Sequence, residues 1–282
     1  MNDNNQTPFS LVADFEGDMS ALLQTPFKGK LPVLALRNMM LFPGVVGTVT
    51  VGRAMSLKVV TQSLSKGTLI AVAAQKDGEV DDPNRNDLYD EGVVARVMRV
   101  IEMPNHTSTA ILQTYGAIKL GAISKRGGVM RVEAEPVAED LTKQNDEDYK
   151  ALVDSCRDHV VRLLKLGEGI RSEEATFALR NIKHPVFLLN FICSNMRLEQ
   201  NERYDLFTQH NIYERAMMLL KLLSRDCQLA ELKRNIETQT RQELEQQQRE
   251  YFLHQQIRNI QSELGEDNDG DAAELEKKAE GM

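Results

Sequence analysis

A chain of 282 residues, 41% hydrophobic and 27% charged, is long enough for more than one folded unit and too apolar for wholesale disorder. Its 34 Lys and Arg against 42 Asp and Glu leave a net charge of −8, which opposes a phosphate backbone, so nucleic acid is not an expected partner except through a local basic surface. The cysteines Cys156, Cys193 and Cys227 are too scattered for a disulfide framework or a CxxC metal site, and no apolar run approaches the ~20 residues of a membrane span.

Residues 1–30 mix Asn, Asp, Gln, Gly and Pro without a sustained period and read as a flexible leader; they lack the basic and apolar regions of a signal peptide. A cytoplasmic setting is therefore expected. From residue 31 to about 137 the chain is a series of short β-branched runs, at 31–36, 46–51, 68–74, 93–101, 109–114, 117–123 and 129–137, separated by Gly, Pro, Asn and Asp. One segment, 53–66, instead places Met55, Val59, Val60 and Leu64 near a helical face and is stopped by Gly67. Many short strands with one helix predict a small, mostly antiparallel barrel or twisted sheet.

After the acidic region 139–148 the period becomes helical. Leu152, Cys156, Val160 and Leu163 share a stripe, Pro185 is suited to start a second helix, and Asn211 to cap a later one. From Ile212 to Leu264 neither Gly nor Pro intervenes, so one helix could run for roughly 50 residues, about 75 Å at ~1.5 Å per residue. Its segment 238–250 is polar on all sides and predicts a solvent-bridging strut. Gly265 and the acidic residues after it predict its end.

Residues for chemistry are missing from this pattern. No Gly-bearing stretch supplies the GxxxxGK[ST] cradle of nucleotide binding, and the five histidines lack HExxH-type spacing. Ser65 beside Lys66 and Ser124 beside Lys125 are chain neighbours in turn-like contexts, which does not build a nucleophile and its base. No catalytic, cofactor-binding or metal-binding residue is nominated.

Three stretches, in order, resemble one family. LPVLALRNMMLFPGVV (31–46) is similar to the opening of a LON substrate-binding domain, QKDGEVDDP with DLYDEGVVARV (75–97) to its next signature, and REYFLHQQIRNIQSELGE (249–266) to the long helix preceding the ATPase module of Lon proteases. The resemblance departs at TYGAIKLGAI, where Lys119 stands in a region in which the family usually has an Arg. It implies an α+β fold: an N-terminal PUA-like β-barrel with one helix, then an all-α bundle and a long extended helix. The expected regions are a leader 1–30, a barrel 31–140, a helical subdomain 141–224, a strut 225–264 and an acidic connection 265–282 to an ATPase domain.

Also implied is a non-catalytic region that recognises and tethers misfolded or regulatory proteins for an ATP-dependent serine protease. Its partners would be unfolded or damaged proteins and other Lon subunits in a hexamer, with no membrane; ATP and Mg would belong only to the ATPase domain. Met39, Met40, Leu41 and Phe42 either fill the β core or form an exposed substrate-contact patch, since flexible thioethers suit a varied clientele. Tyr251, Phe252, Leu253, Ile257, Ile260 and Leu264 are candidates for docking on a partner or another domain. Competing readings are a PUA-like module for RNA or a small ligand, which 5% aromatic content and no Trp do not encourage, and a structural oligomerisation segment.

Overall fold

The computed structural model describes residues 10–11, 22–23, 27, 29–102, 108–167 and 173–280. The chain divides into two compact units, Met1–Cys227 and Gln228–Met282. The strands are β1 (Ser10–Leu11), β2 (Leu31–Leu36), β3 (Val46–Val51), β4 (Leu69–Ala74), β5 (Glu91–Glu102), β6 (Ser108–Arg126) and β7 (Val129–Pro136). The helices are α1 (Ala54–Lys66), α2 (Glu147–Lys165), α3 (Glu173–Asn181), α4 (Pro185–Asn195), α5 (Gln200–Thr208) and α6 (Ile212–Glu280).

Pairing of the seven strands follows the order β1-β3-β6-β5-β4-β2-β7, with β7 also paired to β6. The circuit β2-β4-β5-β6-β7 therefore returns to its start. Closure is possible because β6 is 19 residues long. One of its edges carries β5; the other is shared in succession by β3, at Ser108–Gln113, and β7, at Ile118–Arg126. The two short runs expected at 109–114 and 117–123 are thus one strand. β2 and β4 are parallel, the other neighbours antiparallel. Inside the circuit Leu31, Val33, Ala71, Ala73, Leu88, Val94, Ile118, Met130 and Val132 form a buried cluster. Gly92 lets β5 lie this close to β4, since a Cβ there would sit 2.3 Å from the Val72 carbonyl oxygen.

Local signals account for the helix ends. Gly67 closes α1 at φ 63°, Pro185 opens α4, and the Asn211 side chain accepts the Tyr213 and Glu214 amides at 3.0 and 3.1 Å to cap α6. The first turns of α6 bury Ile212, Ala216, Leu219, Leu223 and Cys227, an i, i+4, i+7 stripe.

Two further expectations need correction. Within the leader, Ser10 and Leu11 pair with Gly47 and Val46, and Leu22 is buried; the remainder of 1–30, apart from Leu23, Phe27, Gly29 and Lys30, lies outside the described residues. Helix α6 does not stop at Gly265 but continues to Glu280. A glycine costs a helix only about 1 kcal/mol, and the Ala, Glu, Leu and Lys that follow favour the helix.

Candidate binding surfaces

Of the four residues nominated beside the Phe-Pro-Gly turn, Met40, Leu41 and Phe42 are buried and only Met39 is partly accessible. Of the two readings left open for this run, Met40, Leu41 and Phe42 take the core-filling one, and no exposed patch forms from them. The chain between β2 and β3 runs beneath the helices: the Phe42 ring meets Phe207 of α5 edge-on at 5.4 Å, and Thr114 Oγ1 donates to the Phe42 carbonyl at 2.7 Å. Gly44 turns at φ +79°, and a Cβ there would lie 2.7 Å from the Phe187 ring. This turn is a joint between sheet and helices.

Behind it lies a buried polar chain that the sequence did not announce. Asn190 Nδ2 donates to the Pro43 carbonyl at 3.0 Å, while Asn190 Oδ1 accepts Arg215 Nη1 at 2.9 Å. Arg215 also reaches the Gln209 carbonyl and Glu139 Oε1, both at 2.8 Å, in a pair whose side chains are 0% and 3% exposed. Tyr149 is packed beside this pair, and burial raises its phenol well above the ordinary value. Burial also pushes the Cys156 and Cys193 thiols up to about 12. An ion pair this deep gives little net stability but penalises loss of either partner. Its only sequence signal is that Arg215 falls on the stripe of Ile212, Ala216 and Leu219.

The second motif is also structural. Gln75, fully buried, donates through Nε2 to the Asp77 and Val80 carbonyls at 3.1 and 2.9 Å and so pins the loop after β4. Arg85 holds the next loop by donating to Leu120 O and Asp90 Oδ1, and this keeps the Asp90 carboxyl below its usual range.

Accessible apolar side chains occur elsewhere. On the first unit, Met98 and Ile101 of β5 are 55% and 40% exposed. On the second unit, Tyr251, Phe252, Leu253, Ile257 and Ile260 are all exposed, the last three keeping a three-four spacing. The Leu264 side chain lies outside the described residues. Among the described residues no helix is long and apolar enough to cross a membrane.

The fold is a sheet circuit with helices tied to it through a buried polar chain, and with Met98 and Ile101 accessible on β5. The model of the ATP-dependent protease La (LON) substrate-binding domain matches residues 30–225. The chain belongs to the LON substrate-binding domain family. It is 39% identical to a Lon protease of Flavobacterium johnsoniae over 235 residues, 83% of this chain and 29% of that protein, and 38% identical to a Lon protease of Porphyromonas gingivalis over 255 residues, 90% and 30% respectively. It thus spans under a third of the length of these curated relatives. Among solved structures, the N-terminal domain of a Mycobacterium avium complex Lon protease covers 70% of this chain and 98% of its own length with a TM-score of 0.52 at 18% identity, a likeness of fold.

Proposed function

We propose that this chain is the non-catalytic region with which an ATP-dependent serine protease recognises and tethers misfolded and regulatory proteins. The observation that carries this is the family match over residues 30–225, which takes in the strand circuit and helices α1 to α5. Accessible Met98, Ile101 and Phe177 on that unit supply apolar contacts of the kind that adapt to varied sequences.

On this reading the strand circuit is a PUA-like barrel, followed by a helical subdomain and a strut. The apolar residues Tyr251 to Ile260 dock on another domain or on other subunits of a cytoplasmic homo-oligomer, a hexamer in the full-length protein. ATP and magnesium belong to an ATPase domain; the GxxxxGK[ST] cradle that would hold the nucleotide does not occur in this sequence, so neither is assigned to its residues. Proteolysis belongs to a separate Ser-Lys domain.

The test is an anisotropy titration of this chain against one labelled protein in folded and permanently unfolded forms, with a labelled RNA as control. Selective binding of the unfolded form supports capture. Equal binding of both forms, or tighter binding of RNA, sinks it.

A further inference from the structure

Strands β3, β6 and β5 lie side by side with their registers fixed, which places residues in rows across the sheet. Val46, Gln113 and Arg96 form one row, Thr48, Ile111 and Arg99 the next, and Thr50, Thr109 and Ile101 a third. Every one of these nine is partly or fully exposed. Of the residues of opposite parity, Val49, Val51, Val97, Ala110 and Leu112 are buried, and only towards the end of β5 do Val100 and Glu102 become accessible, so the rows constitute an outer face. Between Val97 and Arg99 the register shifts, and the extra residue, Met98, is 55% exposed. A bulge of this kind re-aims a side chain that regular pairing would have turned elsewhere.

Among the nine row residues the only charges are positive, the nearest acid on β5 being Glu102, of the opposite parity. Arg96 and Arg99 are exposed, and among the described residues neither forms an ion pair or a side-chain hydrogen bond. Elsewhere on the same circuit Lys30, Arg37, Arg85 and Lys125 each pair with an acid, at Glu133, Asp81, Asp90 and Asp82, whereas Lys119 and Arg131 form no ion pair among the described residues. Two guanidiniums with no partner among the described residues, beside Ile101, Ile111 and Met98 on a chain of net charge −8, make a local surface complementary to a ligand that is both acidic and apolar.

We infer that the outer face of β3, β6 and β5 is where this chain holds non-native protein, and that it selects extended segments in which acidic residues interrupt apolar ones. This names the substrate class within the capture reading and rests on it. An extended segment turns alternate side chains to one side, ~6.7 Å apart, the same repeat that the rows themselves have along β3 and β6. Its carboxylates meet Arg96 and Arg99, and its apolar residues lie on Ile101, Ile111 and the adaptable Met98 thioether. An RNA strand would need stacking aromatics, and none of the nine row residues is aromatic.

The experiment titrates the full chain against three labelled peptides of equal length and apolar content, bearing Glu, Gln or Lys at the same positions, together with a permanently unfolded protein and an RNA. The Glu peptide is expected to bind roughly tenfold tighter than the Gln peptide, the size of two exposed charge pairs, and the Lys peptide weakest. Adding salt compresses the series. The double variant Arg96→Glu, Arg99→Glu reverses the order, and Arg96→Gln, Arg99→Gln abolishes it. Both retain the wild-type urea midpoint, because the side chains are exposed.

Capture of unfolded protein without peptide ranking, or the same ranking in the double variants, overturns the assignment of this face while leaving capture standing. Failure to bind either peptides or unfolded protein removes capture and this proposal together. RNA binding tighter than that of the Glu peptide, and lost in Arg96→Glu, Arg99→Glu, gives the face to nucleic acid and likewise overturns it.

Discussion

Asn190 on α4 donates to the carbonyl of Pro43, 147 residues earlier in the chain, at 3.0 Å with both groups buried. The same side chain accepts from Arg215 at 2.9 Å, so one amide joins the turn after β2 to the ion pair under α6. Replacing it with Ala leaves a buried carbonyl and a buried guanidinium N–H without partners. Asn190→Ala is expected to lower stability by about 2–4 kcal/mol, read as a fall in the urea midpoint at unchanged slope.

The ion pair itself should behave asymmetrically. Arg215→Met strands Glu139 in a buried site and is expected to cost about 3–5 kcal/mol, whereas Arg215→Met combined with Glu139→Met recovers most of that loss. A double-mutant cycle by chemical denaturation measures the difference.

Phe42 separates the two readings that its sequence leaves open. As a contact residue, Phe42→Ala would weaken binding and leave the fold intact. At 0% exposure and against Phe207, it is instead expected to cost about 3–5 kcal/mol of stability, and Met40→Asp to prevent folding. Thermal melts of the two variants decide the point.

Much of the strand pattern was legible, because β-branched runs bounded by Gly, Pro, Asn and Asp have few alternatives. The caps at Gly67, Pro185 and Asn211 were legible for the same local reason. What depends on distant partners was not. Tyr115-Gly116 looks like a turn between two strands but lies within β6, where Gly116 makes room for the Leu23 backbone. An apolar run such as Met39 to Phe42 has one sequence whether it faces water or helices, and only the overlying α4 and α5 decide. The outer face of β5 was hidden because the extra residue Met98 breaks the alternation that would have put Arg96 and Arg99 on opposite sides.

Thiol chemistry gives an independent probe of the helical core. Cys156, Cys193 and Cys227 are buried, and the first two are pushed up to about 12, so thiolate is scarce at pH 8. Native chain is expected to react slowly with a disulfide reagent, and chain in denaturant to release three thiols at once. Fast reaction of any one thiol in the native state would contradict its burial.

The pH dependence has a defined sign at Glu202. A hydrogen bond from Arg225 holds this carboxyl below its ordinary value of 4.5, so its contribution is complete above that value and is lost as pH falls through the lower, folded one. Arg225→Gln should flatten the decline in stability between pH 4.5 and more acid conditions. Denaturant midpoints measured across that window for both chains provide the check.

Hydroxyl-radical footprinting of the chain, alone and saturated with a permanently unfolded protein, tests most directly whether its sheet face captures non-native protein. Protection of Met98 and Ile101, with the buried Met40 and Phe42 unreactive in both states, is the expected result. Unchanged oxidation of Met98 and Ile101 while the unfolded protein remains bound would contradict it.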